Sequence, residues 1–184
     1  MGCAVDSLIL KAAHIAREAH HGQFRQYRPR PYIEHPARVA ASAMLIENVT
    51  PDEVAAAWLH DVIEDCGYTP ERLLAEGMTA RTVELVVELT NPSKLHPELP
   101  RSERKRLDRE HLREISFEGR RLKMLDRIDN LRDMTEAPGD FRSLYAAETV
   151  LLADELHDVD PLLLEDLFQA IEALGFTRAH CHYH

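Results

Sequence analysis

Cysteine is scarce and scattered: Cys3, Cys66 and Cys181 form no CxxC pair. That argues against a disulfide framework and fits a reducing compartment. Glycine (7) and proline (10) are too few in 184 residues for a fibrous chain. No run approaches the roughly 20 continuous apolar residues of a membrane span. The opening MGCAVDSLILKAAH has no basic residue ahead of its apolar stretch and does not read as a signal peptide. Positive charge is also short, with 22 Lys and Arg against 32 Asp and Glu, a net −10 with His neutral. Such a surface repels polyphosphate backbones and disfavours a nucleic-acid-binding module. An anionic substrate would need a local cluster of cations or a metal. These absences predict a soluble, cytoplasmic protein.

What is present is apolar content of 45%, far too high for a disordered chain. The length suits one domain with a single core, so residues 1–184 are expected to form one unit.

Apolar spacing reads as helix almost throughout. Helices are predicted over 6–21, with Asp6 as N-cap and Gly22 as stop, over 36–46 behind Pro36, and over 51–66. The last opens on the capping box Thr50-Pro51-Asp52-Glu53 and ends at Gly67. Further helices are predicted over 70–77, 80–90, 102–115, 118–134, 141–157 and 161–174. The segment 23–34 and the three-proline stretch 91–101 are loops, and nothing alternates with the period of a strand. The expectation is an all-α globule of eight or nine helices.

The segment His60-Asp61-Val62-Ile63-Glu64-Asp65 follows the apolar run Val54–Leu59. In a continuous helix, His60 and Glu64 lie one turn apart, as do Asp61 and Asp65, forming one polar patch. Adjacent carboxylates repel unless a cation neutralises them, and His with Asp suits Mn²⁺, Fe²⁺ or Zn²⁺. The plainer alternative is a solvated acidic face, although acidic residues near a helix C-terminus oppose its dipole. His35 sits at the end of a proline-containing loop, positioned either to enter a pocket or to stay at the surface. Asp126 lies among Leu122, Leu125, Ile128 and Leu131, so it needs a partner: a metal, or a salt bridge with Arg127 or Arg121. Trp58 is expected in the core.

The order His…His-Asp…Asp resembles the metal-binding signature of the HD-domain phosphohydrolases. His21-Gly22-Gln23-Phe24-Arg25, Pro31-Tyr32-Ile33-Glu34-His35-Pro36, Leu59 to Asp65 and Leu125-Asp126-Arg127-Ile128-Asp129-Asn130-Leu131-Arg132 resemble the hydrolase domain of the RelA/SpoT alarmone enzymes. Leu99 to Leu107 is similar to the stand-alone metazoan SpoT-homologue hydrolases. The resemblance is strongest over residues 8–150.

That resemblance implies a metal-dependent (p)ppGpp 3′-pyrophosphohydrolase of HD-domain fold. It implies one metal, Mn²⁺ in most of the family, on His35, His60, Asp61 and Asp126. Glu64 and Asp65 match the acidic pair that orients the attacking water and handles its proton. Arg25 matches an arginine that packs on guanine, and Asn130 an asparagine that contacts the nucleotide. Arg142 and Tyr145 resemble a pair lining the nucleotide pocket. Lys94 and the cluster Arg101-Arg104-Lys105-Arg106 supply local positive charge for two diphosphates, or else form a solvated helix start. Position 129 is Asp where the family often has His. Two rivals stay open: an HD phosphohydrolase for another nucleotide, including the NADPH phosphatase activity that the metazoan relatives imply, and a non-catalytic nucleotide-binding module. The His-rich end, Arg178 to His184, reads as part of a flexible tail over 176–184 that could bind a soft metal by composition. Oligomeric state has no sequence signature here.

Overall fold

The local signals that start and stop helices are realised as hydrogen bonds in this computed structural model, which describes residues 2–177, with side chains from Ser7 onward. Two groups of elements separate by their contacts. The first comprises Met1–Arg25 and Pro29–Asn91, the second Gln26–Arg28 and Pro92–His184.

The first unit holds α1 (Gly2–Ala19), α2 (Glu34–Ala43), α3 (Pro51–Leu59), α4 (Val62–Cys66), α5 (Pro70–Ala75) and α6 (Ala80–Leu89). Its hub is α3, which packs on α1, α2 and α6. Val54, Ala55, Ala56, Ala57 and Leu59 are all buried, so α3 is apolar on every side, as a central helix must be. The capping box forms as read: the Glu53 N–H donates to Thr50 Oγ1 at 3.2 Å, and the Thr50 N–H donates back to Glu53 Oε2 at 2.9 Å. Asp52 accepts from the hydroxyls of Thr79 and Thr82, tying the N-termini of α3 and α6 together. Leu59, Leu73 and Leu85 are fully buried, each contributing about 1.5–3 kcal/mol of apolar transfer. Gly67, at φ 68°, closes α4 in the left-handed region, as its sequence position predicts.

The predicted loop after α1 doubles back on itself. The Arg25 N–H donates to Arg30 O at 3.0 Å and the Tyr32 N–H to Gln23 O at 2.9 Å, around an isolated bridge of Phe24 with Pro31. This return delivers Tyr32 and His35 to the start of α2.

The second unit holds a 3₁₀ turn (Pro92–Leu95), α7 (Arg101–Leu112), α8 (Phe117–Asp133), a second 3₁₀ turn (Met134–Glu136), α9 (Gly139–Leu156) and α10 (Pro161–Ala173). Here α8 packs on α9 and α10, and α7 packs on α9. Residues 122–129 of α8 are buried without a break, including Lys123, Asp126, Arg127 and Asp129. The N-caps are Ser116, accepting from the Gly119 N–H at 3.1 Å, and Asp160, accepting from Leu162 and Leu163.

The all-α expectation holds: the described residues contain no strand. Three details differ from the sequence reading. α1 begins at Gly2, ahead of the predicted Asp6 cap. The predicted helix 51–66 is divided, because α3 stops at Leu59 and α4 begins at Val62. Trp58 is half-buried rather than core. No helix among the described residues is long and apolar enough to cross a membrane. The His-rich stretch 178–184 lies outside the described residues.

Candidate metal centre

The division between α3 and α4 places the His-Asp pair. His60 is the C-cap of α3, and Asp61 has φ −100° and ψ −6°, in the sparsely populated bridge region that active-site residues favour. Neither side chain is then held to the regular helical spacing. His35 sits in the first turn of α2, its N–H donating to Tyr32 O at 2.9 Å.

These elements bring three donor atoms together. His35 Nε2 lies 3.1 Å from His60 Nε2. Asp61 Oδ2 lies 3.0 Å from His60 Nε2 and 3.6 Å from His35 Nε2. His35 is fully buried and His60 nearly so. His60 Nδ1 is 2.8 Å from Ala57 O, and since a carbonyl only accepts, Nδ1 carries a proton there. In the neutral ring, Nε2 then presents a lone pair to a carboxylate oxygen. Two lone pairs at that distance repel unless a cation lies between them. Nitrogens bound at about 2.1 Å to one ion stand roughly 3.0–3.4 Å apart for angles between square and tetrahedral. The donor set therefore fits a divalent ion, with the backbone carbonyl of Ala57 fixing one ligand's tautomer.

The neighbouring carboxylates are tied separately. Glu64 Oε1 accepts the Asn91 N–H at 2.5 Å. Asp65, exposed, has Oδ2 at 3.3 Å from the Tyr32 hydroxyl. The patch expected from helical spacing alone is thus shared between two long-range partners. Tyr32 donates more closely to Asp61 Oδ2, at 2.7 Å. Burial pushes its phenol far above the ordinary range, the Asp61 and Asp65 carboxylates add to that, and the Arg25 guanidinium opposes it. Arg25 is half-buried, its guanidinium carbon 5.2 Å from the Tyr32 ring centroid.

In the second unit, Asp126 is buried on α8 and accepts from Asn130 Nδ2 at 2.6 Å. Lys123 Nζ, one turn earlier, lies 3.5 Å from its Oδ2. Adjacent residues on a helix point apart, whereas i and i+3 share a face. Arg104 lies on α7, Arg142 and Tyr145 lie one turn apart on α9, and Lys94 is exposed on the first 3₁₀ turn. Arg101 is committed to Glu148 by a bidentate pair at 2.7 and 2.9 Å. By contrast, Arg104 Nε, Arg142 Nε and Arg127 Nη1 are buried with no hydrogen-bond partner among the described residues. The Arg127 guanidinium lies 4.4 Å from the Tyr145 ring centroid. Buried donors left this way are costly and call for an acceptor.

Sequence reasoning gave no role to Tyr32 or Arg127. Tyr32 stood inside a quoted motif, but its partner Asp61 is 29 residues away, and only the fold makes the pair. Arg127 was considered only as a possible mate for Asp126.

Comparison with known proteins supplies the last findings. The HD-domain profile matches residues 12–153. The guanosine-3′,5′-bis(diphosphate) 3′-pyrophosphohydrolase MESH1 of Danio rerio is 35% identical over 137 residues, 73% of either chain. The Xenopus tropicalis MESH1 is 38% identical over 131 residues, 70% of either chain. A Haemophilus influenzae enzyme named guanosine-3′,5′-bis(diphosphate) 3′-pyrophosphohydrolase is 33% identical over 91% of this chain but only 24% of its own length. A solved metazoan orthologue of SpoT, described as hydrolysing ppGpp with a role in starvation responses, superposes with a TM-score of 0.74 at 26% identity. That superposition covers 92% of this chain and 96% of the orthologue.

Proposed function

The chain belongs to the HD-domain family, in the branch it shares with the MESH1 hydrolases, and from that membership we propose that it is a metal-dependent guanosine-3′,5′-bis(diphosphate) 3′-pyrophosphohydrolase. It cleaves (p)ppGpp to GDP or GTP and pyrophosphate. The observation that carries this reading is the meeting of His35 Nε2, His60 Nε2 and Asp61 Oδ2 within 3.0–3.6 Å.

His35, His60, Asp61 and Asp126 hold one divalent ion, Mn²⁺ in this reading. When bound, the ion supplies Lewis acidity and positive charge for the phosphoryl group. The chain's own residues do the rest. Asp65 takes a proton from the attacking water, and Glu64, anchored through Oε1 by the Asn91 amide, orients that water. Water oxygen bonds to the phosphorus on the ribose 3′ oxygen, and the bond from that phosphorus to the 3′ oxygen breaks. The proton taken from water returns to the 3′ oxygen, leaving a hydroxyl. Arg25 packs on guanine. Lys94, Arg104, Asn130, Arg142 and Tyr145 take the remaining nucleotide and its phosphates; the buried, unengaged N–H donors of Arg104 and Arg142 support this assignment. With a net charge of −10, the chain needs such local cations to bind a substrate carrying two diphosphates. Residues 1–184 act in this proposal as one HD-type catalytic domain, at work in the cytoplasm.

The test is product analysis by anion exchange. Metal-stripped protein given Mn²⁺ and ppGpp is expected to release GDP and pyrophosphate, and without Mn²⁺ to release neither. Release of orthophosphate, or no turnover with the ion bound, sinks the proposal.

A further inference from the structure

The Tyr32 hydroxyl lies at the meeting point of the two acidic roles. It is 2.7 Å from Asp61 Oδ2 and 3.3 Å from Asp65 Oδ2. A phenol carries one proton, so the shorter contact takes most of it and the longer one a weaker, three-centre share. The oxygen it engages is the same Asp61 Oδ2 that stands 3.0 Å from His60 Nε2.

Asp61 needs such a restraint. Its backbone sits outside both flanking helices, and the terminal torsion of an aspartate is broad and nearly two-fold. Little in the side chain itself selects which oxygen faces the imidazoles.

The Tyr32 ring, in turn, is held on several sides. It stacks on His20 at 4.7 Å and 24°, and meets His35 edge-on at 5.9 Å and 82°. His20 is buried, its Nδ1 2.8 Å from Gln23 Oε1 and 3.3 Å from Cys66 Sγ. The Tyr32 backbone N–H is fixed to Gln23 O. The hydroxyl is therefore delivered from a rigid base built by α1, the returning loop and α4.

We propose that Tyr32 is a positioning residue: its hydroxyl turns Asp61 Oδ2 toward the two imidazole nitrogens and ties the placement of Asp65 to it. This rests on the reading of Asp61 as a metal ligand. Removing the hydroxyl alone leaves the ring contacts with His20 and His35 in place and takes away the 2.7 Å hydrogen bond that selects the orientation of the carboxylate. Partners that hold a ligand from outside the metal's own shell typically contribute 10–100-fold in metal affinity or activity.

The test compares Mn²⁺ binding by metal-stripped wild type and Tyr32→Phe, read from the electron paramagnetic resonance of free Mn²⁺. The expected result is binding about 10–100-fold weaker in the variant, with the melting temperature of the metal-free protein within about 4 °C of wild type. At saturating Mn²⁺, kcat for ppGpp stays depressed while KM is unchanged, because Asp65 has lost its tether. Equal Mn²⁺ affinity in the two proteins overturns the role of Tyr32 and leaves the ligand set standing. No Mn²⁺ binding by wild type overturns the ligand set, and Tyr32 with it.

Discussion

The two units bury polar side chains in opposite ways. In the first, the buried polar residues are His20, His35, His60, Glu53 and Thr82, gathered around the apolar hub α3. Glu53 is used up by its cap, and the histidines are rings that can stay neutral. What remains is a set of lone pairs facing inward, which calls for a cation. In the second, apart from Ser93 and Thr149, the buried polar residues are formal charges: Asp108, Lys123, Asp126, Arg127, Asp129, Asp133 and Glu148. Many are neutralised locally, as in Lys105 with Asp108 at 3.0 Å and Arg101 with Glu148. The exceptions are guanidinium nitrogens, which call for an anion. The buried imidazoles thus belong to the first unit and the buried guanidinium nitrogens to the second, so a defect in metal binding and a defect in phosphate binding should be separable by mutation.

The largest effect is expected from His60→Ala. It removes a nitrogen donor at the hub, so Mn²⁺ retention and ppGpp turnover fall together, by more than the roughly 100-fold that an outer partner contributes. Retained turnover in this variant breaks the comparison at its first half. Arg142→Ala is expected to raise KM for ppGpp about tenfold or more, the loss of a charged hydrogen bond, while Mn²⁺ affinity stays at the wild-type value. A fall in Mn²⁺ affinity would merge the two properties that the comparison keeps apart.

The smallest effect concerns Asp108. Burial acts to raise its pKa, but the Lys105 ammonium and the donors of Ser93 outweigh it and hold the carboxyl below the ordinary value. A carboxylate with a depressed folded pKa adds stability above its unfolded value of about 3.9 and loses it as pH falls through the folded one. Asp108→Asn should therefore flatten the acid limb of stability below about pH 4, read by urea unfolding across pH. An unchanged limb would show that the second unit's ion pair is only decorative.

Much of this was legible in the chain, and the misses share a cause. The capping box at Thr50, the stop at Gly67 and the helical period are local signals, so each predicted helical segment is found. The break at His60-Asp61 carries no proline or glycine. It shows only once long-range partners are in place: Asn91 taking Glu64, and Tyr32 taking Asp61 and Asp65. Asp126 was read as needing a partner, a metal or else Arg127 or Arg121, and the helix also supplies Lys123 and Asn130 one turn away on either side. The candidate ligands were named from motif order, whereas the tilt of each carboxylate is a property of the fold.

The most direct measurement titrates metal-stripped protein with Mn²⁺ while following pyrophosphate release from ppGpp. The account predicts no release without the ion and a rise that levels off at one equivalent per chain. Release that is indifferent to metal, or full occupancy without release, would contradict it.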